Sequence, residues 1–468
     1  MQAWDKLRAL MVVAVAVAAC AASLALPATA VAAQDMLVGI EQNGGMEQDA
    51  LRPDNLDRMK ALDAQIIRFV LRFDRVAVCD PAGAAASNPG NACYNWAVPD
   101  ALVRDATQRN MKVMLSIVGV PPWMFNKTYG YVGDSEAQYA RFLDAYGDFV
   151  TAAALHYSGG VANTPRVDYW TIWNEPNSGY FFSPQSKGKK LIAPGRYAQL
   201  YDIGARAMKG VDNRFVVATG PLSSSSTTKP GTFLTAALPA FKKRKSPVDA
   251  FAMNPYIKYA ADPKSGAKGQ QPPSVRLKWP RIGLGNLDDL TRTLDANTWS
   301  KHLPVWVTEF SYETTPDPDG ATMEQQSEWL ADSLFTAWAD PRVQMFIWYA
   351  LYDDGTGGSE GWQSGLYSPF FACTDQKWCA KPAAAMFRQP TYVSASRAKK
   401  GATIKIWGQG RSNPQSTRIY IWQGGEWQVF QNAPDSNGAL FISWKLRVDT
   451  WFVTCDTACG PIRKVTVR

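Results

Sequence analysis

Tyr169-Trp170-Thr171-Ile172-Trp173-Asn174-Glu175-Pro176-Asn177 is the stretch that decides how this chain folds. An apolar run rich in Tyr, Trp and Ile breaks into Asn-Glu-Pro-Asn, the pattern of a buried strand that delivers a carboxylate into a loop. Pro176 has no N–H for a central ladder, so the chain must turn directly after Glu175 and leave that side chain at the mouth of a cleft. A second segment is built the same way. Leu303-Pro304-Val305-Trp306-Val307-Thr308-Glu309-Phe310 is a short apolar run ending on a carboxylate, 134 positions after Glu175. That interval holds three strand-helix units of roughly 35 to 45 residues each, and the C-terminal ends of its strands are where a parallel barrel keeps its chemistry.

The rhythm continues on both sides. Residues 37–42, 65–71 and 111–118 read as strands one to three, with helical spacing over 56–62, 101–109 and 137–154. Past Glu175, 215–220, 248–256 and 343–349 read as strands five, six and eight, and 194–211, 324–338 and 380–388 as helices. The expected fold is α/β, a (β/α)8 barrel over 34–389. The aromatic loop 178–184 is expected to line the cleft beside Glu175. The connection 260–287, rich in Pro, Gly and Lys, is too long to be idle and is expected to cover the cleft; 353–365 is expected to form its last wall. Trp123, at the mouth of strand three, is placed either to stack on the apolar face of a sugar ring or to pack structurally.

After Pro390 the composition changes. Alternating segments around Ile404, Ile419 and Phe452 are separated by Gly, Asn and Pro turns, which predicts a small β-sandwich over 390–468. Its Trp407, Trp422, Trp427, Trp444 and Trp451 raise a carbohydrate-binding reading. Aromatics on alternating strands are more often core.

At the other end, Lys6 and Arg8 precede an almost unbroken Ala/Val/Leu stretch and a run of small residues, so 1–33 reads as a signal peptide and the protein as secreted to the cell envelope or beyond. A competing reading takes Val17-Ala18-Ala19-Cys20 as a lipobox with Cys20 lipidated; the apolar continuation past Cys20 disfavours it. The other cysteines form three sequence-local pairs, Cys79 with Cys93, Cys373 with Cys379 and Cys455 with Cys459, as disulfides would in an oxidising compartment. With His156 and His302 the only histidines, a metal site, a zinc hydrolase and a Ser-His-Asp triad have little to draw on, and no metal or cofactor is expected. The net charge of +8 admits an anionic glycan. Lys242-Lys243-Arg244-Lys245 has no interleaved aromatics and reads as a solvated loop face, so no nucleic-acid partner is expected. No membrane span is expected, and the protein is expected to be a monomer.

Trp173-Asn174-Glu175-Pro176-Asn177, taken with Thr308-Glu309-Phe310, resembles the Asn-Glu-Pro signature of clan A glycoside hydrolases, retaining (β/α)8 enzymes, and is most similar to family 39. The resemblance implies a secreted retaining glycoside hydrolase that cleaves β-glycosidic bonds of a polysaccharide or oligosaccharide. Glu175 would be the general acid/base and Glu309 the nucleophile. It further implies that Arg68, an unusual residue for an apolar strand, bonds the nucleophile and keeps it ionised; Arg72 is the rival for that role. Asn174 would bond the substrate 2-hydroxyl, Tyr256 would donate to Glu309, and Trp348 would floor the sugar subsite. Many clan members carry His-x-Tyr where this chain has Asn254-Pro255-Tyr256; Asn254 can hydrogen-bond but cannot titrate. The alternatives are a cell-surface glycan-binding protein on a barrel that has lost turnover, and a barrel enzyme of unrelated chemistry.

Overall fold

In the computed structural model, residues 33, 35–83, 85–127, 129–224, 226–257, 269–354, 361–369, 378–430 and 432–468 are described. They fall into two compact units, Asp35–Arg388 and a second that contains Gln389–Arg468. Cys20, Cys373 and nearly all of the segment 1–33 lie outside the described residues, as do parts of 260–287 and 353–365.

The first unit is built on eight apolar segments that pair in parallel. They are β1 (Leu37–Glu41), β2 (Ile66–Arg72), β3 (Lys112–Val118), β4 (Tyr169–Ile172), β5 (Val216–Thr219), β6 (Phe251–Asn254), β7 (Val305–Phe310) and β8 (Val343–Tyr349). Their order runs β5-β4-β3-β2-β1-β8-β7-β6 and ends on the short strand Leu222–Ser223. That strand follows β5 almost immediately in sequence and pairs with β6, so the two ends of the sheet are one stretch of chain and the sheet closes. A parallel bridge from Ala218 to Ala250 joins β5 and β6 directly. The fold is a (β/α)8 barrel.

Eight helices of the repeat are found among the described residues: α1 (Arg52–Ala61), α2 (Ala97–Gln108), α3 (Glu136–His156), α4 (Ala193–Val211), α5 (Pro230–Arg244), α6 (Leu287–Asp295), α7 (Met323–Ala339) and α8 (Pro382–Arg388). Capping boxes start α3 at Ser135 and Gln138, and α7 at Thr322 and Gln325. Two helices escape a reading of the sequence. In α5, Pro230 sits at the start and Pro239 interrupts the interior, whereas α6 begins inside what reads as a long connection and buries Leu287, Leu290 and Leu294 at helical spacing. The basic run Lys242-Lys243-Arg244 is the last turn of α5 and not a loop; cations there complement the helix C-terminus.

The barrel interior is layered. An apolar plug of Ile66, Met114, Ala218, Ala252, Trp306 and Ile347 fills the lower part. Above it lies a buried polar layer in which Arg68 Nε donates to Ser116 Oγ at 3.0 Å and Thr171 Oγ1 donates to the same oxygen at 2.7 Å. Above that layer the barrel opens.

The second unit has a three-stranded sheet (Thr391–Val393, Thr403–Gln409, Ala439–Lys445) and a five-stranded one that includes Arg418–Gln423 and Thr450–Cys455. Alternate residues Ile404, Ile406 and Ile442 of the first sheet meet Ile419, Ile421 and Phe452 of the second, the interdigitation of a β-sandwich. Trp407 is wholly buried and Trp427 nearly so. Disulfides join Cys79 to Cys93 and Cys455 to Cys459. Among the described residues no helix is long and apolar enough to cross a membrane.

Candidate active site

β4 ends at Ile172, and the backbone then does something costly. Trp173 and Glu175 both adopt left-handed conformations, φ 79° and 42°, a cost of roughly 1–3 kcal/mol each that persists only where the surroundings impose it. Trp173 is wholly buried, donates from Nε1 to the Phe181 carbonyl at 2.8 Å, and meets Phe142, Tyr146 and Phe182 edge-on. Gly220 is required alongside, since a Cβ there would lie 2.8 Å from the Trp173 carbonyl oxygen. Downstream, buried Asn177 donates to the Ser223 and Thr228 carbonyls at 2.9 Å and accepts from the Ser223 N–H at 2.9 Å. Gln185 donates to the Pro176 carbonyl at 2.9 Å. The loop carrying Glu175 is thus fixed from both sides.

Two networks tie Glu175 to Glu309. Asn254 Nδ2 donates to Glu175 Oε1 at 3.0 Å, while Asn254 Oδ1 accepts at 2.8 Å from Thr308 Oγ1, the residue before Glu309. Arg68 donates to Glu309 Oε1 through Nη1 and to Asn174 Oδ1 through Nη2 at 2.8 Å. Tyr256 donates to the other oxygen of Glu309 at 3.5 Å. The Arg68 side chain has no solvent exposure, and each of its three nitrogens has a partner. Burial opposes its charge, but the Glu41 and Glu309 carboxylates outweigh that and raise its pKa further.

The two glutamates therefore sit in opposite fields. Glu175 is pushed up to about 7, by burial first and then by the Glu309 charge, against the opposing bonds from Asn254 and Ser223. Glu309 faces a buried guanidinium. One carboxyl is set to hold a proton near neutrality while the other is held against a fixed cation.

Both open into one cleft of about 860 Å³, which Asn174 and Tyr256 also line. One wall is Tyr129, Tyr180 and Phe181; the other has Tyr349 and Trp362, with Trp362 5.6 Å from Tyr256 between ring centres. Arg68 and Asn254 stand directly behind the glutamates. Arg72 also reaches the cleft, but it pairs with Asp74 and lies over the Tyr129 ring, not on Glu309.

Trp123 and Trp348 are not on the cleft. Trp123 donates to the Ala77 carbonyl at 3.0 Å and packs edge-on against Phe73, the packing alternative. Trp348 is wholly buried with its N–H on the Ser364 carbonyl at 3.0 Å. Alternation along β8 explains it: Ile347 and Tyr349 point into the barrel, so Trp348 points out, and Tyr349 takes the cleft position expected of it. Glu309 faces the same difficulty, since Trp306 points inward two ladder positions below Thr308. A register shift between Val307 and Phe310 accompanies its delivery to the cleft.

Sequence reasoning passed over Glu41. It ends β1, and Glu309 is the last residue but one of β7, so a similar apolar-run-to-carboxylate signal was present. Tyr129 and Trp362 sit in loops with no comparable signal. Among the described residues no group of three or more His, Cys, Asp or Glu side chains is placed to hold a metal ion.

No protein-family model matches the sequence, and no curated protein sequence matches it. Solved structures do. The chain is similar to a family 39 glycoside hydrolase from the gut symbiont Bacteroides cellulosilyticus WH2, at 14% identity and a TM-score of 0.56 over 92% of this chain and 82% of that one. A glucosidase from Croceicoccus marinus superposes with a TM-score of 0.57 at 14% identity, over 95% and 97% of the two chains. A monomeric β-xylosidase from Caulobacter crescentus CB15 gives 0.52 at 16% identity, over 93% and 96%. The likeness is one of fold. All three are glycosidases by their descriptions, and the likeness spans most of each chain.

Proposed function

We propose that this chain is a retaining glycoside hydrolase that acts on β-linked glycans. The observation that carries the proposal is the pair Glu175 and Glu309, two carboxyls in one aromatic-walled cleft, electrically coupled and held in opposite environments. Retaining glycosidases need one protonated and one ionised carboxyl flanking the scissile bond. Glu175 donates its proton to the leaving oxygen while Glu309 attacks the anomeric carbon, forming an ester. Glu175, now a carboxylate, then takes a proton from water, whose oxygen displaces Glu309. Asn174, aimed by Arg68, bonds the 2-hydroxyl, a contact that strengthens in the transition state. Asn254 keeps the Glu175 carboxyl on its line of approach.

The charge of the cleft favours a neutral glycan over an acidic one. Its lining arginines Arg72 and Arg75 are paired with Asp74 and Glu47, and Glu309 is held by Arg68, so the described lining offers an acidic sugar no unpaired cation. The chain's overall positive balance is thus not concentrated where substrate would lie. Export by way of 1–33 is part of the same proposal, supported by the two disulfides.

The test is a panel of xylan, β-glucan, mannan, galactan and uronic-acid polymers, incubated with the parent, Glu175→Gln and Glu309→Gln. Hydrolysis of a neutral β-glycan by the parent and its loss in both variants is the expected result. Unchanged turnover in both variants rejects the proposal, and a parent that binds glycans without cleaving any turns the reading to a binding protein.

A further inference from the structure

The guanidinium that holds Glu309 holds a second carboxylate. Glu41, at the end of β1, pairs in register with Arg68 on one side and Tyr349 on the other, and its side chain is 1% exposed. Its Oε2 accepts from Arg68 Nη1, the same nitrogen that donates to Glu309. Asn43 Nδ2 donates to its other oxygen at 3.2 Å. One buried cation thus faces one buried and one partly buried carboxylate, and with both ionised the trio carries an uncompensated negative charge largely shielded from water, a costly arrangement.

We propose that Glu41 is the reserve counter-ion of Arg68, carrying a proton while Glu309 is a free carboxylate and ionising once Glu309 has become an ester. The inference rests on the double-displacement reading above. When a Glu309 oxygen bonds to the anomeric carbon, the bond to the leaving oxygen breaks and that oxygen takes the Glu175 proton. The negative charge of Glu309 is consumed in the ester, and Arg68 would be left buried beside neutral atoms. Glu41 releases its proton to cleft water and takes over as the carboxylate of the pair. When water cleaves the ester, Glu309 regains its charge, Glu175 regains a proton, and Glu41 recaptures one from solvent; the cycle balances.

The surroundings of Glu41 agree. The titratable groups that act on it are Arg68 from β2, Glu309 from β7, Tyr349 from β8 and Tyr256 beyond β6. Of these, Arg68 is the only cation. Burial outweighs it, the Glu309 charge adds to burial, and the Glu41 carboxyl is pushed up to about 8. Loss of the Glu309 charge removes one of the two causes that raise it. Glu41 also lines the cleft, so its proton has a route to water.

The experiment is a pH titration by NMR of full-length protein carrying carbon-13 at the glutamate side-chain carboxyls. The Glu41 signal is assigned by its loss in Glu41→Gln and, independently, in Glu41→Asp, which keeps a carboxyl but carries no label there. In the parent it should titrate near pH 8. In Glu309→Gln, whose neutral amide stands in for the ester, its midpoint should fall by about one unit or more. A Glu41 already ionised at neutral pH in the parent overturns the proposal, and so does a midpoint that Glu309→Gln leaves in place. The first of these needs only the parent, so it survives a variant that fails to fold. Because the titration requires no turnover, failure of Glu41 to respond and absence of glycosidase activity are separate results.

Discussion

At the scale of single residues, the site depends on placing like groups in unlike fields. Glu175 and Glu309 are chemically identical. What separates them is an amide from Asn254 on one and a buried guanidinium on the other. On the proposed mechanism the protonated form of Glu175 donates, and with its carboxyl pushed up to about 7, kcat/KM should fall as pH rises through about 7. A pH profile of the parent checks this, and the same profile on Glu175→Gln should lack that limb. On substrates with poor leaving groups Glu175→Gln should lose about 10²- to 10⁴-fold, whereas activated aryl glycosides, which need little proton assistance, should lose far less. An equal loss on both classes would remove Glu175 from the acid role. Tyr256→Phe should cost less, about 2- to 10-fold in kcat, because its 3.5 Å bond to Glu309 is long.

Between residue and barrel, the elements show how a strand end becomes a site. The loop after β4 stores strain at Trp173 and Glu175 and is fixed by Gly220 on the neighbouring turn and by its own Asn177, which bonds across to Ser223. Gly220→Ala should therefore destabilise the protein by about 1–3 kcal/mol in urea unfolding and lower kcat as well, since relief of the clash moves the Glu175 loop. Trp123→Ala should separate the two effects, lowering stability through lost packing on Phe73 while leaving KM within about twofold. A large rise in KM would return Trp123 to the cleft. This is also the scale at which the sequence was most and least legible. Apolar runs that stop on a charged residue mark strand ends clearly, which is why β4 and β7 were visible, and the long apolar run of β8 marked that strand without one. Face is harder to read. Trp348 and Tyr349 differ by one position, and only the barrel's curvature says which points inward. Helix α5 was hidden by Pro230 and Pro239, and Glu41 by its lack of a flanking motif, although its strand was recognised.

Across the whole molecule, buried carboxyls that keep their protons leave a thermodynamic trace. Glu41 and Glu175 hold protons to about pH 8 and about 7, whereas an unfolded chain would release them near 4.5. The folded state binds more protons in that window, so stability is fullest below about pH 4.5 for these groups and declines as pH rises through 7 and 8. Urea midpoints measured between pH 5 and 8.5 should fall, and Glu41→Gln with Glu175→Gln should flatten the slope; a flat profile in the parent would contradict both shifts. Layering explains why a site could be proposed from so little: the apolar plug and the polar layer fill the barrel below the cleft into which the strand-end carboxyls open. Sugar identity was not legible, because the cleft walls come from loops such as those of Tyr129 and Trp362, whose residues converge only in three dimensions.

The most direct measurement is covalent labelling with a panel of 2-deoxy-2-fluoro-β-glycosyl fluorides (glucosyl, xylosyl, mannosyl and galactosyl), followed by digestion and mass spectrometry. A stable sugar adduct on the peptide bearing Glu309, absent from Glu309→Gln, is the predicted result. An adduct on any other residue, or continued hydrolysis of a neutral β-glycan by Glu309→Gln, would contradict it.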